Sequence, residues 1–381
     1  MKRFIKNIFL FFLPVLLLCI AMVPFYRASV ECGELKDLNL NIESQRSDHN
    51  VLIGLGYNEE TAYYKLVNAN YYKADVIALG TSRVMQFKKE LFKRSFYNCG
   101  GAVGGNYKEY INFLKNLAYK PDAILLGLDQ WVFNDAWNRQ LETTERKYNS
   151  FVKITKVNRN TAAMLKQIVR DWMRKKWKFA DLHLYPENIG FNGRIKDEGF
   201  MHDGSYYYGY IYKNPEASQD YQFADTFKRI ETGTSRFEKG EHIDPETLAQ
   251  LEALLQYCSE NRIKVVGFLA PFAPGVFDKM IAGGGYSYLN EIEPACKRLF
   301  SLYKFELYNY TDCRHLKISD AYFTDGFHGS EVVYGLILQD MIRHNSCISQ
   351  YLDQEKMLSL LSDKYDGLTF YNPAKRTTHY K

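Results

Sequence analysis

Three residues of this chain, Ser82, Asp325 and His328, are of the types that together perform nucleophilic acyl chemistry. Ser82 follows the branched apolar run 76–79, which is too short for a helix and reads as a buried parallel strand. Gly80-Thr81-Ser82-Arg83 then turns into Val84-Met85-Gln86-Phe87, the expected start of a helix. Such a serine lies at the carboxyl end of a strand, where open α/β sheets bind ligands, beside a helix amino terminus that favours developing negative charge. A serine hydroxyl needs a base, and the base needs an acceptor that holds its tautomer. In Asp325-Gly326-Phe327-His328 the spacing lets the carboxylate reach Nδ1 while Nε2 faces the serine. Plainer readings stand beside these: Thr81 or Ser82 as a helix cap, and 325–328 as a capping loop with an exposed histidine.

The elements that must position these residues alternate strand with helix. A second strand is expected at 95–100, running into Gly100-Gly101-Ala102-Val103-Gly104-Gly105-Asn106, where four glycines in six positions imply close backbone approach or free amides. A helix at 106–118 leads to a third strand, 123–128, ending at Asp129-Gln130-Trp131. Asp244-Pro245-Glu246 opens a helix to about residue 261, followed by a fourth strand at 263–269. A helix at 288–303, a fifth strand at 305–308 and a helix at 331–343 complete the series. This alternation predicts a three-layer α/β/α domain on a flavodoxin-like parallel sheet of about five strands. It occupies 74–133 and 241–345, interrupted by an inserted subdomain at 134–240, with a polar tail at 346–381. Residues 28–73 read as a linker followed by a helix near 58–70. Within the insertion, an amphipathic helix at 160–178 carries Lys166, Arg170, Arg174, Lys175, Lys176 and Lys178; it either packs on the domain or lies on an anionic membrane surface. A turn and hairpin are expected over 199–212.

In order, Gly80-Thr81-Ser82, Asn98 to Asn106 and Asp325-Gly-Phe-His328 resemble the nucleophile, glycine and acid-base blocks of the SGNH, or GDSL-like, hydrolase superfamily. A single anchor ahead of such a domain looks like the membrane-anchored DltD-type and alginate-acetylation-type envelope proteins. The resemblance spans roughly residues 74–343. It implies acyl transfer or ester hydrolysis through an acyl-Ser82 intermediate, with His328 as base and Asp325 as its orienter, and Gly104, Gly105, Asn106, Gln130 and Arg83 around the oxyanion and substrate. It further implies an O-acyl, chiefly O-acetyl, group on an envelope polysaccharide and a membrane-bound O-acyltransferase as partner. The other reading of the same resemblance is a catalytically silent glycan-binding or scaffold module. Two positions depart from the pattern: Thr81 stands where an aspartate is usual, and Asp129 where the third block supplies an asparagine donor. The oxyanion would then rest on backbone amides of Ser82 and Gly104 or Gly105, with Gln130 as a substitute donor; one lost donor costs on the order of 10²-fold in rate.

Of the 381 residues 46% are hydrophobic, enough for a real core, and the net charge of +5 is spread out and points to no nucleic-acid partner. The seven cysteines form no C-x-x-C pair, and the histidines show no metal-ligand spacing, so neither metal nor cofactor is expected. Between Lys6 and Arg27 lie twenty uncharged residues, enough to cross a bilayer core of about 30 Å. Lys2, Arg3 and Lys6 precede them, which predicts a cytoplasmic amino terminus and an extracytoplasmic main domain on a single-pass anchor; a cleaved signal peptide is the alternative.

Overall fold

The structure, a computed structural model, describes residues 1–142, 154–156 and 160–375. Two compact units emerge: Met1–Glu59 with Val157–Gly199, and Glu60–Lys156 with Phe200–Lys381.

The larger unit is built on five parallel strands: β1 (Val76–Leu79), β2 (Phe96–Asn98), β3 (Ala123–Leu128), β4 (Lys264–Leu269) and β5 (Glu306–Asn309). Their order across the sheet is β2-β1-β3-β4-β5, the doubly wound order whose direction of travel reverses between β1 and β3. Every residue of β1, β2 and β3 is buried, so both faces of the sheet are covered; this is why these strands read as unbroken apolar runs rather than as alternating ones. Burying each Ile or Leu contributes about 1.5–3 kcal/mol. The carboxyl ends of β1 and β3 flank the reversal point, and Ser82 follows the first while Asp129 follows the second.

Two parts of the chain differ from expectation. Residues 346–375 are not a tail apart from the domain. Leu352, Met357, Leu360, Leu361 and Phe370 join the main core, and Glu331 Oε1 accepts from Phe370 N at 2.7 Å and from Thr369 Oγ1 at 2.6 Å. Its polar composition hid an apolar stripe on the helix Gln354–Ser362. The expected insertion is also divided: its described residues from 160 to 199 belong with the amino-terminal segment, whereas 200–240 belong with the sheet. Of that insertion, 143–153 and 157–159 lie outside the described residues, as do 376–381 of the tail.

In the smaller unit the helix Lys2–Glu31 contains a span, Lys6–Glu31, that is long and apolar enough to cross a membrane, with mean hydropathy 2.8. Its described side chains are largely exposed up to Pro24, and beyond that Phe25, Ala28 and Cys32 pack with Ile168, Trp177, Leu182 and Phe191. The segment expected as a linker is instead ordered by Glu34. Its carboxylate, pushed up by burial and drawn back by amide donors, accepts from Gly56 N at 2.6 Å, Phe191 N at 2.8 Å and Tyr57 N at 3.2 Å. Residues 38–47 form a helix, and the one expected near 58–70 spans Thr61–Tyr72 and belongs to the larger unit. Thr161–Met173 is the amphipathic helix, with Ile168 on its buried side.

Candidate active site

The turn after β1 is tight because β3 passes directly beneath it. A Cβ on Gly127 would lie 2.3 Å from Val84 Cγ1, so only glycine lets this turn settle against the sheet. From the other side Asn98, at the end of β2, donates from Nδ2 to Val84 O at 2.9 Å and Phe87 O at 3.0 Å. Thr81 is the cap of the following short helix: its Oγ1 accepts from Arg83 N at 3.3 Å and donates to Asp129 Oδ2 at 2.6 Å. The Ser82 hydroxyl is therefore not the cap. It lies 2.8 Å from His328 Nε2.

His328 is held by its own loop. Its Nδ1 lies 2.6 Å from Asp325 Oδ2, and Asp325 Oδ1 accepts from His328 N at 2.8 Å and Phe327 N at 3.0 Å. Burial pushes the Asp325 carboxyl up, but the imidazole and these donors outweigh it and bring the carboxyl down to about 2. A permanent carboxylate at Nδ1 makes that nitrogen the donor, which leaves Nε2 free to accept from Ser82. Beneath the loop, Asp220 Oδ2 accepts from Gly326 N at 3.0 Å and from Thr226 Oγ1 at 2.6 Å, and a Cβ on Gly326 would meet Thr226 Cγ2 at 2.5 Å. The close approach fixes the residue that follows the acid as glycine.

Arg83 does not face the cleft, contrary to expectation; it is 1% exposed. Its guanidinium donates from Nε to Phe327 O at 3.0 Å, from Nη1 to Gln130 Oε1 at 2.7 Å and Asp129 Oδ1 at 3.3 Å, and from Nη2 to Pro271 O at 2.5 Å. It also stacks on Phe272 and Trp131, 4.8 and 5.0 Å from the ring centroids. One side chain thus ties the nucleophile turn to the ends of β3 and β4 and to the peptide that precedes His328. Burial lowers the Arg83 pKa and raises that of Asp129; each opposes the other's shift.

Gln130 is corrected too. Its two amide protons go to Ala270 O at 2.7 Å and Thr311 Oγ1 at 2.8 Å, so it is a buried strut with no donor left for an oxyanion. In the glycine block the amide of Gly104 is taken by Glu109 Oε2 at 2.7 Å, and Asn106 Oδ1 caps the helix Tyr107–Asn116 by accepting from Glu109 N. Asp129, fully engaged by Thr81 and Arg83, offers no donor. Among the described residues the amides of Ser82 and Gly105 have no acceptor.

Arg236 was not legible as a site residue. It has φ +82, rare for a side-chain-bearing residue, and follows Ser235 at φ +56. Its half-buried guanidinium lies 5.6 Å from the ring centroids of both Trp131 and Phe327, the latter the neighbour of His328. Nothing in the spacing of Thr234-Ser235-Arg236 announces this, because the rings that seat it lie about a hundred residues away in either direction. Among the described residues no three or more His, Cys, Asp or Glu side chains come together as a metal site.

Compared with protein-family models and with curated protein sequences, the chain matches none.

Proposed function

We propose that this protein is a membrane-anchored serine acyltransferase or esterase, working through an acyl-Ser82 intermediate. The observation that carries it is the continuous relay Ser82 Oγ–His328 Nε2, 2.8 Å, and His328 Nδ1–Asp325 Oδ2, 2.6 Å, at the carboxyl end of the sheet. Ser82 Oγ attacks an acyl carbonyl while its proton passes to His328 Nε2. The tetrahedral oxyanion is received by the amides of Ser82 and Gly105. Collapse expels the alcohol, which takes the proton from His328. The acyl-serine is then attacked by water or by an acceptor hydroxyl, whose proton goes to the same nitrogen and from there to Oγ as the acyl–oxygen bond breaks and Ser82 is released. Asp325 stays ionised and steadies the imidazolium at each stage.

The resemblance to the SGNH envelope proteins supplies the substrate class, O-acetyl or a related acyl group on an extracytoplasmic cell-envelope polysaccharide, with a membrane-bound O-acyltransferase as the acyl donor's source. A second reading, a silent glycan-binding scaffold, is favoured by one observation: Asp129 and Gln130 supply no side-chain donor where one is wanted. A fluorophosphonate probe tests between them. The enzyme labels at Ser82 and loses all labelling in Ser82→Ala. A stable, folded wild-type chain that takes no label supports the scaffold instead.

A further inference from the structure

The apolar helix and the basic helix are linked by an aromatic cluster whose height in a bilayer follows from the sequence. The twenty uncharged residues 7–26 span about 30 Å of hydrocarbon core at 1.5 Å per residue. Arg27 then marks the edge of the core, and Phe25 sits about 3 Å on its membrane side. Phe25 is nonetheless only 8% exposed within the protein. It is covered edge-on by Trp172 and Trp177, with ring centroids 5.2 and 6.3 Å away, and by Phe179 at 5.3 Å. Whatever touches Phe25 stands at its depth, so the end of the basic helix lies in the interfacial layer. Its composition suits that layer. Trp172 and Met173 remain 39% and 64% exposed, and Tyr26 beside them is 51% exposed. Tryptophan and tyrosine favour this zone because one end of the ring system is apolar and the other wet. Around them Arg170, Arg174, Lys175 and Lys178 are exposed; Lys176 pairs with Asp171 at 3.0 Å.

We infer that the helix Thr161–Met173 and the turn after it form a membrane-docking face, on which Trp172 and Met173 enter the interface and the surrounding cations hold anionic lipid headgroups. The inference rests on the reading of the Lys2–Glu31 helix as a membrane span, and goes beyond it by assigning a second, lipid-selective contact. Each exposed cation near such a surface is worth about fivefold in favour of the docked state.

The test uses the full-length chain in vesicles of phosphatidylcholine alone or with phosphatidylglycerol, each containing lipids brominated near the headgroup. Bromolipid quenches a tryptophan component that Trp172→Phe removes; the phenyl ring still covers Phe25, so the cluster persists. Quenching is greater in the anionic vesicles, and that excess disappears in Arg170→Gln/Arg174→Gln/Lys175→Gln. Equal quenching in wild type and Trp172→Phe in both lipids overturns the proposal and leaves this face to a protein neighbour. Alkaline carbonate extraction of the same vesicles separates the two readings: a chain released from the lipid overturns the membrane span, and the docking with it.

Discussion

Arg83→Met isolates what the buried guanidinium does. Methionine keeps much of the stem volume and removes the head, which makes four hydrogen bonds and stacks on two rings. The largest consequence falls on Asp129, which is 3% exposed and would be left with Thr81 Oγ1 alone. Breaking a buried ion pair from one side costs about 3–5 kcal/mol, a large share of the roughly 5–15 kcal/mol that holds a typical domain together. For a unit of this size that is a fall in Tm of about 5–15 °C. Arg83→Met/Asp129→Asn removes both charges and should recover about 1–3 kcal/mol of the loss as coupling between the two sites. Because Arg83 Nε also holds Phe327 O, the variant loosens the peptide before His328, and kcat should fall about 10-fold or more while KM changes little. Thermal unfolding and ester-hydrolysis kinetics on the single and double variants check this. A Tm unchanged from wild type together with a raised KM would refute the reasoning, since that is what a substrate-contacting arginine would give.

The remaining expectations concern the relay and the residues around it. Ser82→Ala, His328→Ala and the double variant should be about equally inactive in an esterase assay, since groups acting as one unit fail together, whereas Asp325→Asn should be slower yet measurable. Asp325, held at about 2 against an ordinary 3.8, contributes stability that is fully present above about pH 4 and is lost as pH falls toward 2. Melting curves at pH 5 and pH 3 should show wild type losing about 1 kcal/mol that Asp325→Asn does not lose. Arg236→Gln leaves the two rings in place and removes the cation seated on them, so kcat/KM for esters carrying a carboxylate should fall about 5-fold more than for neutral esters; equal losses would exclude a charge-reading role. Ending the chain at residue 363 strips Glu331 Oε1 of the Phe370 N and Thr369 Oγ1 donors and uncovers Phe370's place in the core, which should lower Tm by about 5 °C or more.

Strands, helices and the Ser82–Asp325–His328 set were legible because their signals are local. An apolar run of four to six residues bounded by glycine or proline marks a buried strand wherever it pairs, and an acid three residues before a histidine can reach Nδ1 by its own loop. The apolar helix was equally plain, since its length and composition need no partner. What no local signal carried was where each remaining polar group finds its partner. Gln130 reads as a spare donor until Thr311 and Ala270 consume both its protons from 181 and 140 residues away. Arg83, next to the nucleophile in sequence, turns inward because Phe327 O and Pro271 O converge behind it. Gly104 loses its free amide to a glutamate one helical turn on, and Arg236 gains its seat from two distant rings. Hydrophobic periodicity is a property of the chain; the satisfaction of a buried donor is a property of the packing, and only the folded unit decides it.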